Sequence, residues 1–288
     1  MDYKNYHVPV LVSQLMTHFQ LVPDAIVVDG TMGFAGHASE ILTQYPDIHY
    51  YGFDKDLEAI KIAKKRMKEF KHVKIVNSPF SSMFDHLAEK NIIPTHILLD
   101  LGVSSFQIDQ SLRGFTFQRD EPLDMRMDIN SSTTAHKLLS SYTKEQLIYM
   151  FETEGDIRQP HRLVEQIINR RNNNLLNSTF DLVDCVKYGF FVRSRQQFIA
   201  MCTKVFQAIR VEVNGELNEL HRFLSGVLNY ENMIIAIITF QPNEDKVVKR
   251  FIKENGLEQI PKKPLQATYH EAKKNPRERT AKLRIFKV

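Results

Sequence analysis

Cysteine and long apolar runs are scarce in this sequence. Two cysteines among 288 residues, Cys185 and Cys202, are too few for a disulfide framework or a zinc site. No apolar run approaches the roughly 20 residues that a membrane-spanning helix needs, and residues 1–6 lack the apolar core of a signal peptide. We therefore expect a cytoplasmic protein that binds no metal and no membrane, with both thiols buried and free.

Positive charge is concentrated in two segments, although the net charge of the chain is only +4. Residues 158–210 hold nine Lys or Arg against three Asp or Glu, and residues 244–288 hold thirteen against six. Because phosphate neutralisation drives most non-specific binding of nucleic acids, this distribution suggests a polyanionic partner. Charge alone is equally consistent with solvated helix faces, so both interpretations stay open.

Apolar runs alternate with helical patterns over the first part of the chain. Strands are predicted at 25–29, 48–54, 73–76 and 95–100, and a helix is predicted from about Gly36 to Gln44. Alternating strands and helices are typical of βαβ units with a parallel sheet. The predicted fold class is therefore α/β, with a Rossmann-like sheet.

The alternation stops after the fourth predicted strand. Residues 110–203 show mostly helical pattern, and strands return only at 233–240 and 282–288, the last of them expected to be antiparallel. The economical arrangement is one sheet domain formed by residues 1–109 and 204–288. A helical domain, at 110–203, is inserted into it.

A glycine-rich turn follows the first predicted strand. Gly30, Gly33 and Gly36 are spaced three apart after Asp29, and Asp54 ends the second strand. Glycine allows a backbone to approach a ligand closely, and an acid at the end of the second strand can accept hydrogen bonds from both ribose hydroxyls of an adenosine. These residues predict an adenosine-type cofactor site.

Two details of the turn favour S-adenosylmethionine as the cofactor. Asp29 precedes the glycines, where a carboxylate can face the cationic methionine part. The turn also lacks the G-x-G that brings a pyrophosphate onto a helix N-terminus, which disfavours a nicotinamide-dependent oxidoreductase. An ordinary turn with a helix-capping acid would explain Asp29 but not Asp54.

Asp100 ends the fourth predicted strand and precedes a loop rich in Gly and Ser. In this topology that strand borders the place where donor and acceptor meet, so Asp100 is the first candidate for shaping the reaction site. Ser104 and Ser105 are explained as well by helix capping as by catalysis.

Several long blocks follow one another in an order that identifies a family. They are His7-Val8-Pro9-Val10-Leu11, Ala35-Gly36-His37, Leu99-Asp100-Leu101-Gly102-Val103-Ser104-Ser105, Arg113-Gly114-Phe115-Thr116-Phe117, Pro122-Leu123-Asp124-Met125-Arg126-Met127-Asp128, Phe206-Gln207-Ala208-Ile209-Arg210, Val213-Asn214, Asn275-Pro276-Arg277 and Ala281-Lys282-Leu283-Arg284. With these blocks the chain resembles, over nearly its whole length, the bacterial small-subunit ribosomal RNA (cytosine-N4)-methyltransferases, also called the MraW family.

The resemblance implies a class I methyltransferase domain with an inserted helical domain. It also implies methyl transfer from S-adenosylmethionine to the exocyclic N4 amine of a cytidine in 16S rRNA of the small ribosomal subunit. Family donor contacts fall on Ala35, Gly36, His37, Asp54, Phe80, Asp100 and Gln107. The turn itself adds Asp29 and Gly33 to this predicted cofactor site.

Cytosine's amine is a poor nucleophile because its lone pair is delocalised into the ring. A hydrogen-bond acceptor on its N–H would localise that pair, and Asp124 and Asp128 are the next catalytic candidates after Asp100. A target nucleotide must also be turned out of its stack, and Phe115 and Phe117 can stack on it. The substrate-binding candidates are Arg113, Phe115, Phe117, Arg126, Arg170 and Arg171.

Each of these candidates has a structural alternative. Asp124, Arg126 and Asp128 are as well explained by an ion-pair knot, and two apolar residues at i and i+2, such as Phe115 and Phe117, are more often core.

The chain departs from the family pattern at four places. Phe34-Ala35-Gly36 stands where an arginine and two glycines are usual, and Phe106 replaces a proline. Residues 200–204 and 239–245 replace two blocks that contain histidine. A methyltransferase acting on another nucleic acid, or an RNA-binding ribosome-assembly factor with weak or no activity, therefore remain alternatives, and the chain can be a monomer or a homodimer.

Overall fold

Residues 9–288, apart from the side chain of Ser105, are described by a computed structural model, so His7 and Val8 of the first block lie outside the described part. The chain divides into two compact units. Unit 1 consists of the residues up to Gly102 together with Leu217–Val288, and unit 2 consists of Val103–Glu216. In the described range no helix combines the length and the apolar character needed to cross a membrane.

Unit 1 begins with four strands that alternate with helices. In chain order these elements are α1 Val12–His18, β1 Ile26–Asp29, α2 Gly36–Gln44, β2 His49–Asp54, α3 Leu57–Arg66, β3 Val73–Asn77, α4 Met83–Glu89 and β4 His96–Asp100. Each strand agrees with its predicted position to within about one residue, because the buried apolar runs are bounded by turn residues. The predicted alternation is confirmed.

Helices alone form the named elements of unit 2. They are α5 Ser105–Asp109, α6 Ala135–Ser141, α7 Lys144–Thr153, α8 His161–Asn172, α9 Thr179–Gly189 and α10 Arg195–Asn214. The remaining elements, which return the chain to unit 1, are α11 Glu216–Val227, β5 Ile234–Thr239, α12 Pro242–Glu254, β6 Glu258–Gln259, α13 Tyr269–Lys274 and β7 Lys282–Lys287. The two-residue strand β6 was not predicted, because so short a strand has no readable periodicity.

The strands of unit 1 form one seven-stranded sheet in the order β3-β2-β1-β4-β5-β7-β6. The pairs from β3 to β5 are parallel, and β7 is antiparallel to both of its neighbours, as predicted for the last strand. The fold class is thus the predicted Rossmann-like α/β class. In the register, Asp29 lies opposite Gly52 and Leu98, so the carboxyl ends of β1, β2 and β4 meet at one edge.

Two apolar clusters cover the sheet of unit 1. One contains Leu15 and Ile41 from α1 and α2, and the other contains Leu87 and Phe223 from α4 and α11. Strand β5 is buried along five of its six residues, as expected for a parallel strand with helices on both faces.

The boundaries of the units differ from the predicted ones. They fall after Gly102 and after Glu216, whereas the sequence placed them after 109 and after 203. Helix α10 runs through the predicted second boundary, because Val205 and Ile209 are fully buried in the core of unit 2. A continuous helix anchored in one core cannot be shared between two domains at that point. Cys185 and Cys202 are free thiols buried in the same core, as expected.

Candidate functional site

The turn after β1 approaches its neighbours too closely for side chains. A Cβ on Gly30 would meet the buried Leu99 side chain and would lie 2.8 Å from Cβ of Phe80. Gly33 and Ala35 both have left-handed backbones, with φ values of 52° and 60°. Ala35 stands where the family usually has glycine, and an L-residue in this conformation costs about 1 kcal/mol. The turn therefore keeps its shape despite the substitution.

Asp54 connects the end of β2 to this turn. Its Oδ2 accepts a hydrogen bond from the Gly33 backbone N–H at 2.7 Å, and its Oδ1 accepts one from the Asp56 N–H at 2.8 Å. Burial raises the pKa of this carboxyl to about 6, although the two hydrogen bonds oppose the shift. Each oxygen keeps a second lone pair, so the carboxylate can still accept hydrogen bonds from two ribose hydroxyls.

Asp29 has an internal role that differs from its predicted one. Its Oδ2 accepts a hydrogen bond from the Tyr50 hydroxyl at 2.8 Å, and its Oδ1 accepts one from the Thr31 N–H at 3.0 Å. The residue is only 2% exposed, and burial raises its pKa to about 7. Both carboxylate oxygens thus brace the turn against β2, and the contact of Asp29 with a cationic ligand stays a prediction.

Replacing Asp29 with Asn is expected to flatten the pH dependence of stability. The pKa of Asp29 rises from 3.8 to about 7 on folding because of burial, so the folded state keeps a proton that the unfolded state releases. This contribution favours folding below about pH 4 and is lost as the pH rises to about 7. Urea unfolding of both proteins across this range measures the difference, and parallel stability curves would contradict the assignment.

His37 and Asp100 form a buried pair beside the turn. His37 Nε2 lies 2.9 Å from the Val10 carbonyl oxygen, and its Nδ1 lies 3.6 Å from Asp100 Oδ2. Burial lowers the pKa of His37 to about 4, so the ring is neutral. Since a carbonyl only accepts, the ring proton belongs on Nε2, and Nδ1 presents its lone pair to Asp100.

Asp100 has an oxygen with no protein partner. Its Oδ1 is buried and has no hydrogen-bond partner within residues 9–288, while its backbone N–H donates to Thr31 Oγ1 at 2.6 Å. Burial raises its pKa well above the usual range, and the charges of Asp29 and Glu244 add to the shift. Buried carboxyl oxygens are rarely left unpaired, so this atom is suited to a hydrogen bond from a ligand.

Phe80 closes the same edge of the sheet from the strand beyond β2. It follows β3 in a short 3₁₀ turn and is 8% exposed, with its ring in edge contact with Phe223 at 6.1 Å. Its Cβ lies next to Gly30, where a side chain would not fit. Unit 1 therefore brings Gly33, Asp54, Phe80 and Asp100 to one edge of the sheet, around the turn.

Gln107 belongs to unit 2, at the start of α5. Its Oε1 accepts a hydrogen bond from the Ser104 N–H at 3.0 Å, and its own N–H donates to Ser104 Oγ at 3.2 Å. This reciprocal pair is a capping box, which confirms the helix-capping interpretation of Ser104.

Asp124 and Arg126 form an ion pair inside unit 2. Arg126 donates from Nε and Nη2 to the two carboxylate oxygens of Asp124 at 2.8 and 2.7 Å, and from Nη1 to the Ile129 and Ser131 carbonyls. Although burial opposes it, these hydrogen bonds lower the pKa of Asp124. Asp128 caps a turn by accepting from the Asn130 N–H. These contacts favour the structural alternative over catalysis for both acids.

The other candidates in this block also have contacts inside unit 2. Arg113 is 9% exposed and donates from Nη1 to the Arg126 and Met127 carbonyls at 2.9 and 3.1 Å. Phe115 and Phe117 pack against the apolar core of unit 2. These contacts favour the core alternative for the two rings.

Arg170 and Arg171 also have contacts inside unit 2. Arg170 Nη2 lies 2.7 Å from Asp184 Oδ2, and its Nη1 lies 3.5 Å from Asp181 Oδ1. Arg171 donates to the Leu139 and Tyr142 carbonyls at 3.2 and 2.6 Å. Both guanidinium groups hold helices of unit 2 together, which favours a structural role, and their contact with RNA stays a prediction.

Sequence reasoning missed Asn214 as a connector of two family blocks. Its Oδ1 accepts a hydrogen bond from the Met127 N–H at 2.8 Å, and its Nδ2 donates to the Met125 carbonyl at 2.8 Å. Met125 has a φ of 58°, a conformation that a non-glycine residue keeps only when its surroundings hold it. The available signal was that Met127 and Asn214 belong to two of the blocks that identify the family. Their separation of 87 residues in the sequence hid the contact.

Comparison with known proteins gives one consistent result. A family model described as the MraW methylase family matches residues 4–288. Ribosomal RNA small subunit methyltransferase H of Campylobacter jejuni is 36% identical and covers 97% of this chain and 96% of that protein. The protein with the same name from Thermosipho africanus is 38% identical and covers 98% of each. Among solved structures, an rRNA methylase from Streptococcus thermophilus is 11% identical, covers 94% of this chain and 93% of its own, and has a TM-score of 0.41.

Proposed function

The chain belongs to the MraW methylase family, and from this premise we propose that it is an S-adenosylmethionine-dependent methyltransferase that acts on small-subunit ribosomal RNA. The relatives named for that activity match over nearly the full length of both proteins, which includes both units of this chain. The resemblance of the sequence blocks narrows the acceptor to the N4 amine of a cytidine. A ribosomal substrate in turn implies work in the cytoplasm.

The observation that carries the proposal is the polar edge of unit 1. Asp54 holds the glycine turn through the Gly33 N–H and keeps lone pairs for ribose hydroxyls. Asp100 presents a buried oxygen without a partner within the described residues. Gly30 packs against Leu99 and Phe80, which holds Phe80 beside the turn. Polar groups, glycine backbone and an aromatic ring thus meet as an adenosine-containing donor requires.

The residues of this chain bind and orient the donor and accept the proton that the acceptor amine loses. When bound, S-adenosylmethionine supplies a methyl group that its sulfonium has already activated. We assign the ribose to Asp54 and the adenine side to Phe80, which together fix the direction of transfer. The acceptor amine loses one proton as it gains the methyl group, and Asp100 Oδ1, which is buried without a partner among the described residues, can accept that proton when the carboxyl is ionised. The His37 Nδ1 lone pair, 3.6 Å from Asp100 Oδ2, can accept a hydrogen bond from the protonated acid.

Asp100 has a second candidate role, in holding the donor itself. Steady-state kinetics of Asp100→Asn separates the two roles. A fall in kcat with an unchanged KM for the donor assigns the proton transfer, whereas a rise in that KM with an unchanged kcat assigns donor binding.

The deciding experiment is methyl transfer from labelled S-adenosylmethionine to small ribosomal subunits and to naked 16S rRNA. Nucleoside mass analysis is expected to find N4-methylcytidine. A different methylated nucleoside would replace the acceptor assignment, and label on DNA alone would replace the substrate class. RNA binding without any transferred label would support the assembly-factor alternative.

A further inference from the structure

Two large aromatic side chains are exposed between α9 and α10. Phe191 is 84% exposed and Tyr188 is 60% exposed. Three exposed cations, Lys187, Arg193 and Arg195, flank the two rings in the sequence. We call these five residues the α9–α10 face. It lies entirely within unit 2.

A cationic side chain lies over each ring of this face. Lys187 Nζ lies 5.5 Å from the centre of the Tyr188 ring, and Arg193 Cζ lies 5.9 Å from the centre of the Phe191 ring. Both distances fall within the range of cation–π attraction. Each exposed ring is therefore presented together with a positive charge.

The charge around this face has one sign. No acidic residue occurs between Asp184 and Glu212, and five basic residues do. Two of these five are engaged internally, since Lys204 donates to the Asp156 carbonyl at 2.8 Å and Arg210 pairs with Glu216 at 2.8 Å. No carboxylate of residues 9–288 lies within ion-pair distance of the three cations of the α9–α10 face.

The segment that carries the face is firmly attached to unit 2. Phe190 and Phe198, on either side of it, pack against the core of the unit. Gly189 packs so tightly that an added Cβ would lie 2.7 Å from the Leu163 Cα. The backbone that carries the exposed rings is thus fixed by packing, so less conformational entropy is lost when a partner binds.

Neither burial nor the helix dipole explains the presence of Phe191 and Arg195. An exposed phenylalanine forgoes the stabilisation that burial of its ring would provide. Arg195 lies in the first turn of α10, where the helix dipole disfavours a cation. An external partner that attracts both rings and positive charge explains why such residues are together here.

We propose that the α9–α10 face binds unpaired nucleotides of the RNA substrate. Bases stack on Phe191 and Tyr188, and backbone phosphates pair with Lys187, Arg193 and Arg195. The inference deepens the proposed function, on which it rests for the choice of RNA as partner. Arg170 pairs with Asp184 and Arg171 donates to the Tyr142 carbonyl, whereas no carboxylate of the described residues lies within ion-pair distance of the three cations of this face.

Fluorescence anisotropy with a labelled oligocytidine RNA of about 12 nucleotides tests the proposal. Replacing Tyr188 and Phe191 with Ala removes the rings and keeps the charge, and affinity is expected to fall about tenfold or more. Replacing Arg193 and Arg195 with Gln is expected to lower the slope of log K against log salt by about 0.7 for each phosphate that the protein no longer neutralises. Tyr149→Ala is the matched control, because Tyr149 is 69% exposed on α7 of the same unit.

The KM for small ribosomal subunits provides a second measurement on the same variants. It is expected to rise about tenfold in the ring variant, with the affinity for S-adenosylmethionine unchanged. Equal RNA affinity and equal KM in wild type and both variants would overturn the proposal. Loss of binding to anionic lipid vesicles, with RNA affinity intact, would instead assign the face to a membrane surface and would overturn it too.

Failure of the inference can be told apart from failure of the proposed function. If the wild-type protein methylates rRNA and the variants match it, the function stands and the RNA-binding face does not. If the wild-type protein transfers no label but the variants bind RNA less tightly, the face stands and the methyltransferase assignment does not.

Discussion

Asp54→Ala is expected to lower the affinity for S-adenosylmethionine at least about a hundredfold, since each hydrogen bond to a charged group contributes about 1.5–3 kcal/mol and two are removed. The substitution also removes the acceptor that holds the Gly33 N–H at 2.7 Å, so the turn is less well ordered before the donor binds. Isothermal titration calorimetry with S-adenosylmethionine measures the loss. An unchanged affinity in the folded variant would sink the assignment of Asp54 to the donor site.

The pH profile of donor binding provides the control for this result. Burial raises the pKa of Asp54 to about 6, and the ribose hydroxyls need its ionised form as an acceptor. Affinity in the wild-type protein is therefore expected to be full above about pH 6 and to fall as the pH drops through it. Asp54→Asn should remove this fall. Asp128→Ala, which alters a carboxylate of unit 2, should leave the profile as it is.

Gly114→Ala is expected to destabilise unit 2 by about 3 kcal/mol or more, which adds the cost of a left-handed L-residue to that of overpacking. Gly114 has a φ of +76°, and a Cβ there would collide with the Pro122 carbonyl oxygen and lie 3.3 Å from Thr179 Cγ2. Its N–H donates to Glu121 Oε2 at 2.8 Å, so the backbone cannot easily turn away. Urea unfolding, followed by circular dichroism of this helical unit, measures the change.

Gly215→Ala is the matched control for that substitution. Gly215 also has a positive φ, of +61°, and also lies in unit 2, but nothing lies within 4 Å of its added Cβ. Only the backbone cost of about 1 kcal/mol is expected there. Equal losses of stability in the two variants would show that the collision with Pro122 is relieved without cost.

The architecture of unit 1 could be predicted because local sequence patterns determine its strands and helices. Buried strands such as Ile234–Thr239 are continuous apolar runs, and the glycine turn and Asp54 mark the ends of the first two strands. Recurring apolar positions on α3 and α11 likewise fix a helix without knowledge of its neighbours. Local signals of this kind reach only as far as one element, which is why the sequence places the second boundary inside α10, whereas unit 2 ends at Glu216.

The chemistry of individual side chains was harder to predict because it depends on distant partners. Arg170 is a basic surface residue in sequence, yet Asp181 and Asp184 from the next helix neutralise it. His37 and Asp100 are 63 residues apart in sequence, and only the fold shows that the ring lone pair faces the acid. No periodicity of the sequence indicates such pairs. The partners of a charged residue become known only from the tertiary fold.

The pairing of β4 with β5 has a consequence for how the protein is made. All of unit 2 is translated between these two strands, although they are adjacent in the sheet. During synthesis the core formed by α8–α10 can fold before β5 and β7 are translated. Until then the sheet is incomplete, and the edge of β4 at Ile97–Leu99 has no strand to pair with. An open apolar edge of this kind invites association with other nascent chains or capture by chaperones. The risk of such association is therefore greatest while the ribosome translates residues 101–233.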